Sequence, residues 1–146
     1  HEWFSLHDGG LPEIPIAVVL PSNEPISPKR AATLHDELTR LCQDWTDEIG
    51  GTDALMAEPA GSEVETYLPA FIPIGDTGAG DYLAVDTRDG DLHGCVVEFY
   101  NEAGATLRWD SIDTMLDCTA NALEQGTNCA GWVPIVEDHL LRWDFP

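Results

Sequence analysis

Apolar residues recur at spacings of three and four from Ala31 to Ile49, through Leu34, Leu38, Leu41, Cys42 and Trp45. That period lays one apolar stripe along a helix. Ser27-Pro28 supplies its start, serine as N-cap and proline in the first turn, and Gly50-Gly51 supplies its stop. His35, Asp36, Glu37, Arg40, Asp44 and Asp47 then fall mainly on the solvated side. Thr52–Thr66 is polar and acidic without a period and predicts a loop, as the Pro/Asn/Ser run Pro21–Ser27 predicts a connector.

From Tyr67 the pattern changes to short β-rich runs: Phe71–Ile74, Tyr82–Asp86 and Cys95–Tyr100, with Ala105–Trp109 extended after a turn at Asn101–Gly104. A Gly/Asp loop separates the first two runs, and Asp89-Gly90 marks a tight turn between the next two. Asp110-Ser111 caps a second helix whose stripe is Ile112, Met115, Leu116, Thr119, Ala122 and Leu123, with Gly126 after its last turn. Trp132–Val136 and Leu140–Trp143 read as a hairpin around Glu137-Asp138-His139. At the other end, His1–His7 predicts the end of a helix and Ile14–Leu20 a strand or extended segment.

A chain of 146 residues, 43% hydrophobic, fits one domain with a real core. Its longest apolar run, near Ile14–Leu20, falls short of the roughly 20 residues of a membrane span, and no secretory signal pattern is visible. Six basic against 27 acidic residues leave a net charge of −21. Nucleic acid and anionic membranes need a positive surface, so neither is an expected partner. The charge fits a soluble, salt-tolerant surface or a basic protein partner. The four cysteines, Cys42, Cys95, Cys118 and Cys129, are too scattered for a zinc ribbon or a redox motif. They read as buried thiols, which suits a cytoplasmic protein, though the even count leaves room for one disulfide.

Three chemistries compete for the loop Gly75–Asp81. Asp76-Thr77-Gly78 matches the aspartic-protease triplet, but that chemistry needs two carboxylates sharing a proton, and no second loop of this type is present. Gly75, Gly78 and Gly80 could cradle a phosphate, yet a strand follows instead of a helix, and two carboxylates stand where a lysine is wanted. Asp76, Asp81, Asp86, Asp89 and Asp91 are numerous enough for calcium, but Arg88 interrupts the alternation that a calcium loop requires. Turn-forming aspartates remain. His7, His93 and His139 lie in or beside turns, and no nucleophile pairs with them by spacing. The residues therefore predict no catalytic group, no metal site and no cofactor.

The segment Leu68–Asp86 resembles the central signature of the SUKH superfamily, through Phe71, Pro73, Ile74, Gly75, Gly80, Asp81, Leu83, Val85 and Asp86. Gly94 and Val96 are similar to the family's next strand. Trp109–Leu123 resembles its following helix, Trp132–Trp143 a tail of actinobacterial members, and Trp3–Gly10 the end of its early helix, with Asp8 replacing asparagine. Thr77 and Ala79 depart from the glycine-rich pattern, and the early helix is short here or begins upstream of His1.

The resemblance implies a single α+β domain over residues 1–146, a twisted, mainly antiparallel sheet with helices packed around it. It implies no catalytic constellation. Bacterial members look like immunity proteins, each binding and blocking a cognate toxin, while a yeast relative is a cell-wall regulatory scaffold. The expected function is thus a non-enzymatic, cytoplasmic bacterial immunity protein against a secreted toxin, for which a basic nuclease would suit the charge. The alternative is a regulatory or scaffold protein without a toxin. Asp76, Asp81, Asp86, Asp89, Asp91 and Trp109 are the candidate partner interface, and the signature residues are expected to shape the fold.

Overall fold

The computed structural model describes residues 19–48 and 51–146, with the side chains of 44–48 outside the description. The order of elements is β1 (Glu24–Pro25), α1 (Pro28–Glu48), α2 (Thr52–Met56), β2 (Phe71–Asp76), β3 (Tyr82–Asp86), β4 (Val96–Tyr100), β5 (Gly104–Trp109), α3 (Ile112–Gln125), β6 (Val133–Glu137) and β7 (Leu140–Asp144). Strands β1 to β5 form one antiparallel sheet in sequence order, and β6 and β7 pair separately. The architecture is the expected α+β one.

Adjacent residues in the central strands go to opposite faces, and both faces are covered. Ala84, Val97 and Phe99 point to one side, where Ala31, Leu34 and Leu38 of α1 and Tyr67, Leu68 and Phe71 complete a buried cluster. Leu83 and Val96 point to the other, with Ile74, Trp109 and the α3 residues Met115 and Ala122. Coverage on both faces explains why these strands read as apolar runs rather than as a clean alternation. Each large aliphatic side chain so buried contributes about 1.5–3 kcal/mol.

Both long helices start where the capping residues predict. Ser27 accepts from the backbone N–H of Arg30 through Oγ (3.3 Å) and of Ala31 through its carbonyl (2.8 Å). Ser111 and Thr114 form a reciprocal capping box, and Gly126 closes α3 at φ 66°. The final hairpin turns on Asp138 and His139, both at positive φ (51° and 66°), as a two-residue turn of this hand requires.

Several expectations are corrected. Thr52–Met56 is a short helix rather than loop. The Pro21–Ser27 connector contains β1, whose Glu24 and Pro25 pair with Asp76 and Gly75. Gly75 suits the close approach there, since a Cβ would lie a tight 3.2 Å from that of Asn23. Leu41, on the predicted apolar stripe of α1, is 72% exposed. The helix has 21 residues, about 32 Å at 1.5 Å per residue, and outruns strands of five or six residues. Cys95 sits just before β4 rather than inside it. Cys118 and Cys129 are joined in a disulfide, their Cα atoms 5.6 Å apart, so the buried-thiol reading holds only for Cys95 and is modified for the half-buried Cys42 thiol. The expected N-terminal helix end and most of the Ile14–Leu20 segment lie outside the described residues.

Candidate functional site

The Gly/Asp loop is a hairpin turn whose polar groups satisfy one another. The Asp76 carboxylate accepts from Gly78 N–H at 2.7 Å, and Thr77 Oγ1 accepts from Ala79 N–H at 3.2 Å. The Thr77 N–H and hydroxyl both donate to the Asp81 carbonyl at 3.1 Å, and the Asp81 carboxylate accepts from Asn101 N–H at 3.1 Å. Gly78 and Gly80 take φ of 76° and 98°, which side-chain-bearing residues rarely adopt. Of these bonds, the one from Asn101 to Asp81 ties the β2–β3 turn to the β4–β5 turn. They make Asp76 and Asp81 turn formers first.

At the other end of β3, Asp86 and Arg88 build a buried polar hub. Arg88 Nη2 donates to Asp86 Oδ2 at 2.7 Å, and Nε lies 3.1 Å from both carboxylate oxygens. Asp86 also accepts from Gly61 N–H (2.9 Å) and Arg88 N–H (3.0 Å). The guanidinium goes on to the carbonyls of Leu55 (3.3 Å) and Ser62 (2.8 Å) and stacks 5.5 Å from the Phe71 ring centroid. Burial pushes the Asp86 carboxyl up, but the side-chain and backbone hydrogen bonds and the Arg88 charge outweigh it and hold the group below its ordinary value. Arg88 is therefore no interruption of a cation loop. It is the internal counter-ion of Asp86, signalled in the sequence only as an arginine two residues after the signature aspartate.

Arg108 is only partly turned inward, its side chain 27% exposed, with Nε 2.7 Å from Glu98 Oε2 and Nη2 donating to the Ala130 carbonyl at 2.8 Å. These two are the only Lys or Arg residues between Arg40 and Arg142. The exposed bases, Lys29, Arg30, Arg40 and Arg142, lie on the first helix and the last strand. Arg30 reaches Glu37 and Asp76 at 3.7 Å, and Arg142 reaches Glu137 at 3.5 Å. Meanwhile Glu58, Glu63, Glu65, Asp89, Asp91, Glu102, Asp110, Asp113, Asp117 and Glu124 are exposed. Across residues 51–130 the exposed carboxylates thus face solvent with only the partly exposed Arg108 and the imidazole of His93 as bases.

Of the candidate interface residues, Asp89 and Asp91 are exposed and Asp76 and Asp81 half-exposed at the turns. Asp86 is fully buried, and Trp109 is packed into the core on the α3 side, 9% exposed. Neither of these two offers a surface in this structure, because each completes an interior cluster. The other signature residues are also interior or conformational: Phe71 lies under Arg88, Ile74, Leu83 and Val96 fill one core face, and Gly94 at φ 87° donates to the Asp86 carbonyl at 2.8 Å. Among the described residues no group of three or more His, Cys, Asp or Glu side chains is placed to hold a metal ion, and no helix is long and apolar enough to cross a membrane.

A model of the SMI1/KNR4 family (SUKH-1) matches residues 2–118. The chain belongs to this family. A comparison with curated proteins found no match. The SMI1/KNR4 match contains the whole five-stranded sheet, the Asp86–Arg88 hub and the first half of α3. It stops at Cys118, the residue whose disulfide to Cys129 leads into the β6–β7 hairpin. The β6–β7 hairpin of this SMI1/KNR4 protein lies beyond the matched residues, with Trp143 packed against the core cluster of Trp109 and Met115.

Proposed function

We propose that this protein is a non-enzymatic immunity protein, which binds a cognate secreted toxin and neutralises it by occupying its surface. The observation that carries the reading is the distribution of charge: the two arginines between Arg40 and Arg142 are each paired with a buried carboxylate, leaving a broad acidic surface with few countercharges. Such a surface suits a basic partner and repels nucleic acid itself. A toxin with a basic active cleft, as a nuclease has, is the partner that fits. Asp76, Asp81, Asp89 and Asp91 remain interface candidates on this reading, and the hub and signature glycines serve as scaffold.

Family membership supports a protein-binding role and is equally compatible with a regulatory scaffold. The two separate in one experiment. The protein is co-expressed with each product of the neighbouring genes that proves toxic alone, and growth is followed. Rescue supports immunity. A stable partner found by affinity capture, with no toxicity to rescue, identifies a scaffold instead. The cytoplasmic location belongs to the same proposal, and the Cys118–Cys129 disulfide weighs against it, since such bonds persist mainly in oxidising compartments.

A further inference from the structure

Leu41 of α1, a large apolar side chain left 72% exposed, stands at the mouth of a groove between α1 and the β4–β5 turn. The groove has a volume of about 370 Å³, near the lower end of the roughly 300–1,000 Å³ of ligand pockets, so it suits one or two side chains. Phe99 closes its floor, and Glu65 and Glu102 stand exposed on its walls, neither paired with a base among the described residues. Thr66 also lines it. That residue is only 3% exposed, and its hydroxyl has no hydrogen-bond partner among the described residues. A second cleft of about 340 Å³ shares Glu65 and continues past Glu63 to Thr106.

We propose that this groove is the docking site for a lysine or arginine side chain on an exposed loop of the partner protein; the proposal rests on the basic-partner reading above. The long stem of such a residue packs against Leu41 and Phe99 while its charged head stays polar. The head's N–H groups meet the Glu65 and Glu102 carboxylates and supply the donor that the Thr66 hydroxyl lacks. An acidic guest is repelled. A purely apolar guest desolvates two carboxylates and leaves the hydroxyl unpartnered, and both effects are unfavourable. Glu63 and the adjoining cleft extend the same chemistry to a neighbouring basic residue.

The test uses the whole protein and a phage-displayed library of random linear peptides, with the best binder mapped by amide chemical shifts. The expected binders carry Lys or Arg beside an apolar residue and shift the amides of Glu65, Thr66, Phe99 and Glu102. Glu65→Gln with Glu102→Gln weakens them by about fivefold or more. Thr66→Val weakens them by about threefold while leaving thermal stability unchanged or raised, because the hydroxyl makes no bond in the unliganded fold. Asp117→Asn with Glu124→Gln on α3 makes the same change in net charge and leaves binding unchanged. Basic peptides that shift amides elsewhere, or that weaken equally with the α3 control, overturn the groove and leave the basic-partner reading standing. A library that yields no enrichment of basic residues overturns both.

Discussion

Arg88 lies against Asp86 with Nη2 2.7 Å from Oδ2, and neither side chain has any exposed surface. The pair joins the end of β3 to the carbonyls of Leu55 and Ser62 and to the Gly61 N–H, so it sets how the segment after α2 sits on the sheet. Removing one partner leaves a buried charge uncompensated. Asp86→Asn or Arg88→Met is expected to lower the unfolding free energy by about 3–5 kcal/mol in urea denaturation. Replacing both together is expected to cost less than the sum of the singles, because no lone charge remains. Additive losses would show that the pair is not coupled.

The same pair gives an acid-side prediction. The folded carboxyl is held below its ordinary 3.8. A lowered folded pKa stabilises the fold above the unfolded value, and that stability is lost as pH falls through the folded one. The stability gap between wild type and Asp86→Asn is therefore expected to be constant from pH 7 to pH 5 and to narrow as pH drops below 3.8. Urea midpoints for the two proteins across that range measure it. A gap that widens toward acid contradicts the assignment.

Gly104 begins β5 at φ 80°, and a Cβ there would collide with the Val64 carbonyl oxygen and come 2.6 Å from Glu65 Cα. Both obstacles are backbone. Gly104→Ala is expected to destabilise by about 3 kcal/mol or more, combining a clash with an unfavourable φ. Gly78, at φ 76° in the signature turn, faces open space. Gly78→Ala is expected to cost about 1 kcal/mol, from backbone conformation alone. Similar losses at both sites, by thermal or chemical denaturation, would refute the close crossing of the 64–65 segment over β5.

The Cys118–Cys129 bridge closes a span of 11 residues. Chain-entropy arguments give it about 3 kcal/mol. Cys118→Ser with Cys129→Ser is expected to lower stability by roughly that amount. Thiol titration of unreduced, denatured protein is expected to find the two thiols of Cys42 and Cys95 and no more. In the native protein Cys95 is fully buried, and its thiol is pushed up to about 11, by burial first and by Asp86 second, so it stays unalkylated at neutral pH. Four reactive thiols in denaturant would rule out the bridge.

Much of this architecture is legible in the residues because it is local. Ser27, Ser111 and Gly126 mark helix ends through hydrogen bonds to their own neighbours, and the turns at Asp76–Asp81 and Asp138-His139 follow from residues that tolerate or enforce them. Long-range relations are not legible in this way. Asp86 looks like one more surface carboxylate until the fold brings Gly61 N–H to it, and Arg88 looks like a defect in a cation loop until it turns inward. Leu41 fits its apolar stripe by period, yet the fold leaves it exposed. The Cys118–Cys129 pairing needs the chain to reverse after α3. For the same reason the Leu41–Thr66–Glu102 groove, built from three separate segments, has no signature in any one of them.

The most direct test of the central claim titrates the toxic activity of the captured partner against this protein. Inhibition complete at one protein per toxin is expected, without turnover or cofactor. Association should slow markedly as ionic strength rises from about 0.1 M to about 1 M, where the screening length falls from about 10 Å to about 3 Å. Inactivation by a small fraction of an equivalent, or association indifferent to salt, would contradict neutralisation by an acidic binding surface.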